Sequence, residues 1–366
     1  MDLDVAIVGG GLTGLATAQA AARQGLAVAV IEGRTRLGGR ILSAPWPTDA
    51  GPRFDLGPAW FWPGQRRMAA LAARLGIGVF GQHSEGRTAL ETPDGRVRRD
   101  LRLALNGNGL RLSGGMAALI EGLAAELPEG SVWLGRAARR IAREAGGWRV
   151  ETADGGETRA RAVVVAAPPR IAGERIEIPA LEPSARAALA RIPTWMAPHA
   201  KAAALYDAPF WRELGLSGDA IGQRGPLAQI HDASPADGSV GALFGFVGAP
   251  AAARAAMGPG LEDAIRAQLG ALFGPEAARP QALLLQDWSA DPFTATAADL
   301  DAPAGHPPYG PIAALDAWGD AGLIFAGAEL APEDGGLLEG ALASAEKAVG
   351  QIAAALGGEA VVETAR

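Results

Sequence analysis

The sequence predicts an α/β protein in which a parallel β-sheet starts from a βαβ unit at the N-terminus. Residues 5–8 form an apolar, β-branched run, which is typical of a strand covered on both faces of a parallel sheet. Residues 26–31 form a second such run, and residues 15–24 between them have the composition of a helix that Gly25 ends. Because parallel neighbours need a crossover connection, this order of elements predicts a βαβ unit.

The turn between the first strand and the helix has the pattern G-x-G-x-x-G. Gly9 permits the tight turn, Gly11 lets the backbone approach a pyrophosphate, and Gly14 lets helix and sheet pack closely. A diphosphate would then lie at the helix N-terminus, where free N–H groups and the helix dipole favour an anion. Glu32, which ends the second strand, is placed to accept hydrogen bonds from a ribose diol. An acid there favours FAD or NAD over NADP, and the glycines leave FAD and NAD both open.

Composition excludes several other classes of function. The chain has 366 residues, 49% of them hydrophobic and 20% charged, with a net charge of −7, which predicts a globular protein that does not bind nucleic acid. It has no cysteine, so disulfides, thiolate metal sites and a cysteinyl-linked cofactor are excluded. Its four histidines lie far apart, and no metal site is predicted. The uncharged run at residues 5–22 is interrupted by glycines, so we expect no membrane span and a cytoplasmic location.

The residues after Glu32 favour FAD over NAD. The sequence Gly33-Arg34-Thr35-Arg36-Leu37-Gly38-Gly39-Arg40 resembles the R-x-G-G-R stretch of the flavin-containing amine oxidoreductases, the monoamine-oxidase-like family. The resemblance implies non-covalent FAD, with Glu32 on the adenosine ribose and Arg40 near the pyrophosphate and the flavin edge. Gly38 and Gly39 would let the loop pass against the cofactor. A cluster of guanidinium groups beside a diphosphate is physically sensible, because their geometry matches phosphate oxygens.

Further segments carry the same resemblance over nearly the whole chain. In order they are residues 54–60, 113–127, 132–141, 323–329 and 335–341. The cofactor-binding residues implied by the turn and these segments are Gly9, Gly11, Thr13, Gly14, Glu32, Gly33, Arg34, Gly38, Gly39, Arg40, Leu56, Gly57, Pro58, Ala59, Ala138, Gly327, Glu329, Gly336, Leu337 and Leu338. The backbone amide of Ala138 would meet the adenine, and Glu329 would lie along the ribityl–diphosphate stretch.

The order of these segments predicts two interleaved domains. A Rossmann-like FAD-binding domain would comprise residues 1–60, 113–170 and 290–366. An α+β substrate domain would comprise residues 61–112 and 171–289. The resemblance implies the two-domain arrangement of the amine oxidases, which is similar to that of glutathione reductase.

Lys201 is the predicted catalytic residue. Residues 199–206, followed by Pro209-Phe210-Trp211, resemble the family's strand that bears a lysine holding a water at flavin N5. A cation there could stabilise the anionic reduced flavin and assist dioxygen. The residues predicted to bind substrate are Trp60, Trp288 and Leu337, and the other aromatic candidates for the lining are Trp62, Trp195, Trp211, Phe244 and Phe246.

The reaction that the resemblance implies is hydride loss from a carbon bearing nitrogen to flavin N5. Water would hydrolyse the imine, and dioxygen would take the electrons and give peroxide. Monoamine oxidases frame the amine between two aromatic rings, but Leu337 occupies one of these positions and residues 296–298 contain no aromatic residue. Amino-acid oxidases of the superfamily often carry an arginine where Trp60 stands; Arg53 or Arg224 could substitute for it.

Two alternatives therefore stay open at the level of sequence. One is a desaturase or dehydrogenase of a C–C bond, like the related protoporphyrinogen and carotenoid enzymes. The other is a flavin-binding regulatory protein without turnover. The expected partners of an enzyme are dioxygen and a small-molecule substrate, which the resemblance implies is an amine, and the oligomeric state is open.

Overall fold

The computed structural model describes residues 3–301 and 305–357, and two seven-stranded β-sheets organise this part of the chain. The strands, in chain order, are β1 (Leu3–Val8), β2 (Val28–Ile31), β3 (Ser43–Pro45), β4 (Arg53–Asp55), β5 (Val79–Gly81), β6 (Arg87–Glu91), β7 (Val97–Leu101), β8 (Leu110–Leu112), β9 (Val132–Trp133), β10 (Ala138–Glu144), β11 (Gly147–Thr152), β12 (Glu157–Val165), β13 (Ala200–Tyr206), β14 (Leu216–Ile221), β15 (Leu227–Asp232), β16 (Gly241–Val247), β17 (Ala282–Asp287) and β18 (Leu323–Phe325). The helices are α1 (Leu12–Arg23), α2 (Arg66–Arg74), α3 (Ala117–Ala125), α4 (Pro169–Arg175), α5 (Pro183–Arg191), α6 (Ala251–Met257), α7 (Gly260–Phe273), α8 (Ala313–Asp316) and α9 (Leu338–Ala355).

The first sheet has the predicted parallel centre. Its order is β10-β11-β12-β1-β2-β9, with β18 also paired to β12. Strands β2, β1, β12 and β18 run parallel, with Val8 opposite both Ile31 and Val165. Helices α1, α3 and α9 pack on one face, and α4, α5 and α8 pack on the other. Ligands of such sheets bind beyond the carboxyl ends of the parallel strands, and this is where the glycine-rich turn lies.

The glycine-rich turn packs as its spacing predicts. Gly9 has φ of +113°, and a Cβ atom on it would approach the carbonyl of Ala166 to 3.0 Å. A Cβ atom on Gly14 would lie 2.0 Å from the carbonyl oxygen of Gly9. These two positions therefore require glycine for the turn and for the close approach of α1 to β1.

The segment of residues 132–141 contributes to two separate strands. Strand β9 pairs parallel with β2, whereas β10 pairs antiparallel with β11. Gly135, with φ of +70°, turns the chain between them. The amide of Gly135 donates to the carbonyl of Arg34, and the amide of Arg136 donates to that of Glu32. The break therefore keeps the turn beside the loop that follows β2.

The second sheet is mostly antiparallel and has the order β17-β13-β16-β15-β14-β6-β7. Its strands come from the segments 87–101, 200–247 and 282–287, whereas those of the first sheet come from 3–31, 132–165 and 323–325. This alternation supports the predicted interleaving, and the domain boundaries stay a prediction. Among the described residues, no helix has both the length and the apolar character needed to cross a bilayer.

Alternation along β13 explains why Lys201 faces the first sheet. Ala200, Ala202 and Ala204 pack with α7 on one face of the second sheet. Ala203 and Leu205 pack on the opposite face, against a segment that includes Phe54, Leu56 and Ala59. Because successive side chains of a strand point to opposite faces, Lys201 shares the face of Ala203 and Leu205.

Candidate functional site

A cavity of about 650 Å³ connects the two sheets. Glu32, Ala138 and Arg139 line its part near the first sheet, and Lys201 and Trp288 line its part near the second. Of the residues predicted to bind the cofactor, all except Gly14 line this cavity. Gly14 does not contact the cavity, but it allows the close packing of α1 described above. The structure thus brings together residues that lie more than 300 positions apart in the sequence.

The nucleotide end of the cavity fits the diphosphate of FAD. Gly11 has an ordinary φ of −81°, and a Cβ atom on it would have only the carbonyl oxygen of Gly38 nearby, at 3.9 Å. Neither backbone strain nor a clash within the protein therefore explains this glycine, whereas a bound group passing close to the backbone does. Helix α1 begins at Leu12, so its first N–H groups have no partner within the helix.

Glu32 is held rigidly at this end. Its Oε2 accepts a hydrogen bond from the amide of Gly10 at 2.7 Å, and its Oε1 accepts one from the amide of Arg34 at 2.8 Å. The side chain is buried but lines the cavity. A carboxylate oxygen has more than one acceptor site, so Glu32 can hold the loop and still accept from a ribose diol.

We expect Glu32→Ala to weaken FAD binding by about 10- to 100-fold, because hydrogen bonds to a charged group contribute about 1.5–3 kcal/mol each. Titration of the apoprotein with FAD, followed by flavin fluorescence, measures this change. Glu32→Gln is the matched control, because it keeps one acceptor oxygen and should lose less affinity. Equal affinity of the wild type and Glu32→Ala would remove Glu32 from the nucleotide site.

The three arginines that follow Glu32 do different things. Arg34 lines the cavity, and its guanidinium is held by Asp291 at 2.6 and 3.2 Å. Arg36 lies outside the cavity lining and donates to the carbonyl groups of residues 37, 39 and 41. Contrary to the expected cluster beside the diphosphate, Arg36 therefore braces the loop that carries Gly38 and Gly39.

Arg40 forms a bidentate ion pair with Glu329 at the centre of the cavity, with N···O distances of 2.5 and 3.0 Å. Burial alone would lower the pKa of the Arg40 guanidinium, but Glu329 offsets this and raises the pKa above its usual value. The amide of Trp195 donates to the same carboxylate at 3.0 Å. The pair thus remains charged, with a buried carboxylate and a partly exposed guanidinium, which suits the stretch between a diphosphate and a flavin ring.

The start of α9 forms the wall opposite α1. Gly336, Leu337 and Leu338 line the cavity, and Gly336 has φ of +80°. Thr13 in the first turn of α1 donates to the carbonyl of Ala341 in α9 at 3.0 Å. The N-termini of both helices therefore face one cavity, where their dipoles favour negative charge.

Lys201 is buried at the other end of the cavity. Its Nζ donates to the carbonyl of Gly57 at 2.9 Å and lies 3.9 Å from the centroid of the Phe244 ring. Burial lowers the pKa of the Lys201 ammonium to about 7, while the carboxylate of Asp55 opposes this shift and the guanidinium of Arg111 adds to it. Burial also raises the pKa of the Asp55 carboxyl. At neutral pH, Lys201 is therefore close to equal populations of its charged and neutral forms.

The predicted substrate residues line the same cavity as Lys201. Trp60, Trp288 and Leu337 all line the cavity. The indole of Trp60 donates to Gln82 at 2.8 Å, and that of Trp288 donates to the carbonyl of Leu56 at 3.0 Å. These bonds hold both rings in place as walls.

Not every aromatic candidate faces the cavity. Trp62, Trp195 and Phe246 line it. Trp211 does not; it is buried on the far face of the second sheet, where its indole donates to Asp232. Phe244 packs between Trp60 and Lys201 without lining the cavity.

The arginines considered for a substrate carboxylate also lie elsewhere. Arg53 pairs with Glu121, and Arg224 is exposed. Neither lines the cavity. The candidate site therefore contains neither of the two proposed replacements for an arginine at position 60.

Two histidines of the site were missed from the sequence. His231 and His199 both line the cavity, and Nδ1 of His231 lies 2.9 Å from a carboxylate oxygen of Asp219. The pairing of Ala220 with Ile230 on adjacent antiparallel strands places Asp219 opposite His231. The signal that could have identified His231 is therefore its cross-strand pairing with Asp219, which cannot be recognised until the register of β14 and β15 is known.

Known proteins share this arrangement. The family model described as flavin containing amine oxidoreductase matches residues 92–353, and the model of an NAD(P)-binding Rossmann-like domain matches residues 7–75. The putative flavin-containing monoamine oxidase AofH of Mycobacterium tuberculosis is 27% identical, with 97% of each chain covered. The probable flavin-containing monoamine oxidase A of Dictyostelium discoideum is 26% identical over 80% of this chain and 85% of its own length.

Solved structures show the same fold. A putrescine oxidase bound to putrescine has a TM-score of 0.79 at 21% identity, covering 97% of this chain and 99% of its own. Cyclohexylamine oxidase from Brevibacterium oxydans has a TM-score of 0.80 at 21% identity, covering 98% of this chain and 100% of its own. Taken together, the comparisons confirm the predicted fold class. They also confirm that FAD is the cofactor and that the chain is an oxidoreductase that oxidises amines. The match over residues 92–353 includes the strand of Lys201 and most of the last helix, and the match over residues 7–75 includes the N-terminal turn. Together they show that the chain belongs to the flavin-containing amine oxidoreductase family.

Proposed function

We propose that the chain oxidises a monoamine with an uncharged, largely apolar body, and that dioxygen is the electron acceptor. The observation that carries this proposal is the position of Lys201. Its amine is buried among aromatic rings at the end of the cavity opposite the nucleotide-binding turn. Bound FAD would supply the acceptor of a hydride from the carbon that bears the nitrogen, and the route of the electrons to dioxygen.

The side chains of the chain itself would position the amine and control its charge. Trp60 and Trp288 provide rigid walls beside Lys201. Such an apolar environment disfavours an ammonium and favours the neutral amine, which has the lone pair that hydride loss requires. Lys201, held by the carbonyl of Gly57, would orient water or dioxygen at the reacting edge.

The charges around the cavity support a monoamine. The acids in its lining are Glu32, at the nucleotide end, and Glu329, which is paired with Arg40. The outer part of the substrate end carries the neutral amides of Gln65, Asn106 and Gln229. Among the described residues, none of these groups would pair with a second ammonium. The cation at this end, Lys201, is only partly protonated near neutral pH and already donates to the carbonyl of Gly57, so it would pair weakly with a carboxylate of the substrate. An unpaired buried charge is costly, so diamines and amino acids are disfavoured.

Anaerobic mixing of the holoenzyme with three amines that share one apolar body tests the proposal. We expect the second-order rate constant of flavin bleaching to be about 100-fold higher for the monoamine than for the corresponding ω-diamine or α-amino acid. Each of these two compounds carries an additional charge into the site. An amine with no hydrogen on the α-carbon is the control and should not bleach the flavin. Readmission of air should restore the colour and release peroxide.

Other outcomes of the same experiment point elsewhere. Bleaching by a polyene or a porphyrinogen, with none by amines, would replace the proposal with desaturation of a C–C bond. Faster bleaching by the diamine or the amino acid would overturn the substrate class while leaving amine oxidation in place.

A further inference from the structure

We propose that His231, oriented by Asp219, accepts the proton of the incoming substrate ammonium and so delivers the neutral amine. This inference rests on the proposed oxidation of a monoamine. Both residues are buried, and His231 lines the substrate end of the cavity. The pair extends the predicted site, which contained Lys201 as its titratable group near the substrate.

The geometry assigns different tasks to the two ring nitrogens of His231. Nδ1 lies 2.9 Å from Oδ1 of Asp219. A carboxylate only accepts hydrogen bonds, so Nδ1 carries the proton and donates it. In the neutral ring the lone pair is then on Nε2, which has no hydrogen-bond partner among the described side chains and backbone groups. Nε2 is therefore available to an N–H group in the cavity.

A distortion of β14 places Asp219. The pairing of β14 with β6 shifts register between Leu216 and Ala220, which indicates a bulge. Gly218 within it has φ of +83°, and a Cβ atom there would meet the Cβ of Asp232 at 2.7 Å. Bulges commonly redirect side chains near active sites. A glycine in the left-handed region of the backbone, where a larger residue would clash, thus directs a carboxylate at the histidine of the neighbouring strand.

Aromatic rings link His231 to the predicted reaction site. The His231 ring meets Trp60 edge-on, with centroids 5.0 Å apart, and lies 5.4 Å from Phe244. Nζ of Lys201 lies 5.8 and 3.9 Å from the centroids of the same two rings. His231 and Lys201 therefore flank one aromatic pair, of which Trp60 lines the cavity and would contact the body of the substrate.

The other charged groups around His231 have partners of their own. Asp232, the next residue along β15, accepts two hydrogen bonds from Arg212. Arg111 donates to the backbone carbonyls of residues 233 and 234. Lys201 donates to a backbone carbonyl and is partly protonated near neutral pH. Asp219 is thus the acid that directly contacts His231.

The proposed step is a proton transfer and moves no electrons between oxidation states. The substrate R–NH3⁺ gives one proton to Nε2, which leaves R–NH2 and an imidazolium. The carboxylate of Asp219 compensates the positive charge that forms on the ring, and the total charge of the site is unchanged. Hydride loss from the neutral amine can then follow.

Asp219→Asn and His231→Gln test the assignment. The other oxygen of Asp219 accepts from the amide of Leu105 at 3.4 Å, so an asparagine that keeps this bond turns its NH2 group toward Nδ1. Nε2 would then carry the proton and lose its lone pair. We expect either change to lower the anaerobic flavin bleaching rate at pH 7 by about 10²- to 10³-fold, as for loss of a general base. His83→Gln, at a histidine outside the cavity lining, is the matched control and should leave the rate unchanged.

The pH dependence separates this role from a structural one. Alkyl amines have pKa values near 10, so their neutral form becomes abundant in solution at high pH. We expect the deficit of His231→Gln to shrink at least tenfold between pH 7 and pH 9.5, because the enzyme then receives an amine that is already neutral. A deficit of the same size at every pH, or no deficit at pH 7, would overturn the proposal.

Proton counting gives a second test that does not depend on turnover. An amine without an α-hydrogen is titrated into the wild-type holoenzyme by calorimetry, in buffers with different heats of ionisation. We expect the wild type to bind it with little proton release to the buffer and His231→Gln to release about one proton for each amine bound. Release of a full proton by the wild type overturns the proposal even where no variant folds. No release by His231→Gln would also overturn the assignment, because the amine would then either keep its proton on binding or give it to another group, such as Lys201 or His199. If no amine bleaches the flavin at any pH, the proposed function itself has failed.

Discussion

Lys201→Met is expected to leave FAD bound and to slow reoxidation of the reduced flavin by dioxygen by about 10²- to 10³-fold, the size of effect seen when one preorganised electrostatic donor is removed. The methionine fills a similar volume but cannot carry charge or donate a hydrogen bond. Because Lys201 lies at the end of the cavity opposite the nucleotide-binding turn and donates to the carbonyl of Gly57, the cofactor should remain bound. Stopped-flow mixing of the photoreduced holoenzyme with oxygenated buffer measures the rate.

The direction of the pH dependence follows from the low pKa of Lys201. Below about pH 7 the ammonium is charged and can stabilise the negative charge that develops on dioxygen, whereas above it the neutral amine predominates. The wild-type reoxidation rate should therefore fall as pH rises through about 7, and that of Lys201→Met should not follow this curve. Lys347→Met, at an ion pair with Asp316 outside the cavity, is the matched control. Equal reoxidation rates for Lys201→Met and the wild type at every pH would remove Lys201 from the oxygen reaction.

The parts of the site that could be predicted from sequence depend on short segments. Gly9, Gly11 and Gly14 belong to one turn, and Glu32 follows at the end of the next strand, so spacing alone predicts that they would surround a diphosphate and a ribose. The local pattern around Lys201 likewise identified its strand. Alternation along that strand then explains which way the side chain faces.

The parts that could not be predicted depend on contacts between distant segments. Trp211 and Trp60 are both aromatic candidates in the sequence, but only the packing of the second sheet puts them on opposite faces. Arginine is a common phosphate ligand, yet Arg36 donates its hydrogen bonds to three nearby carbonyl groups. The pairing of His231 with Asp219 needs both a register and a bulge, and neither leaves a local pattern beyond Gly218.

Burial of Lys201 has a large expected cost in stability, and the sign of its pH dependence is determined by the lowered pKa. Between about pH 7 and 10.5 the unfolded chain binds a proton at this residue that the folded chain does not, so the free energy of unfolding rises with pH across this window. Below pH 7 both states are protonated and the full cost applies. Since each pKa unit corresponds to about 1.4 kcal/mol, the cost there is on the order of 5 kcal/mol.

Lys201→Met should therefore be more stable than the wild type by a few kcal/mol at pH 6–7, and the advantage should shrink toward pH 10 as the wild-type lysine becomes neutral in both states. Urea unfolding of the apoproteins measures this difference without the contribution of bound FAD. In Lys347→Met the loss of a half-exposed ion pair should instead lower stability by at most about 1 kcal/mol, with little change across this pH range. A Lys201→Met apoprotein that is less stable than the wild type at pH 6 would mean that Lys201 is held by favourable interactions and not against the cost of burial. A stabilising loss of Lys201 would instead indicate that the fold keeps a buried amine at a net cost, as expected where a charge is retained for catalysis.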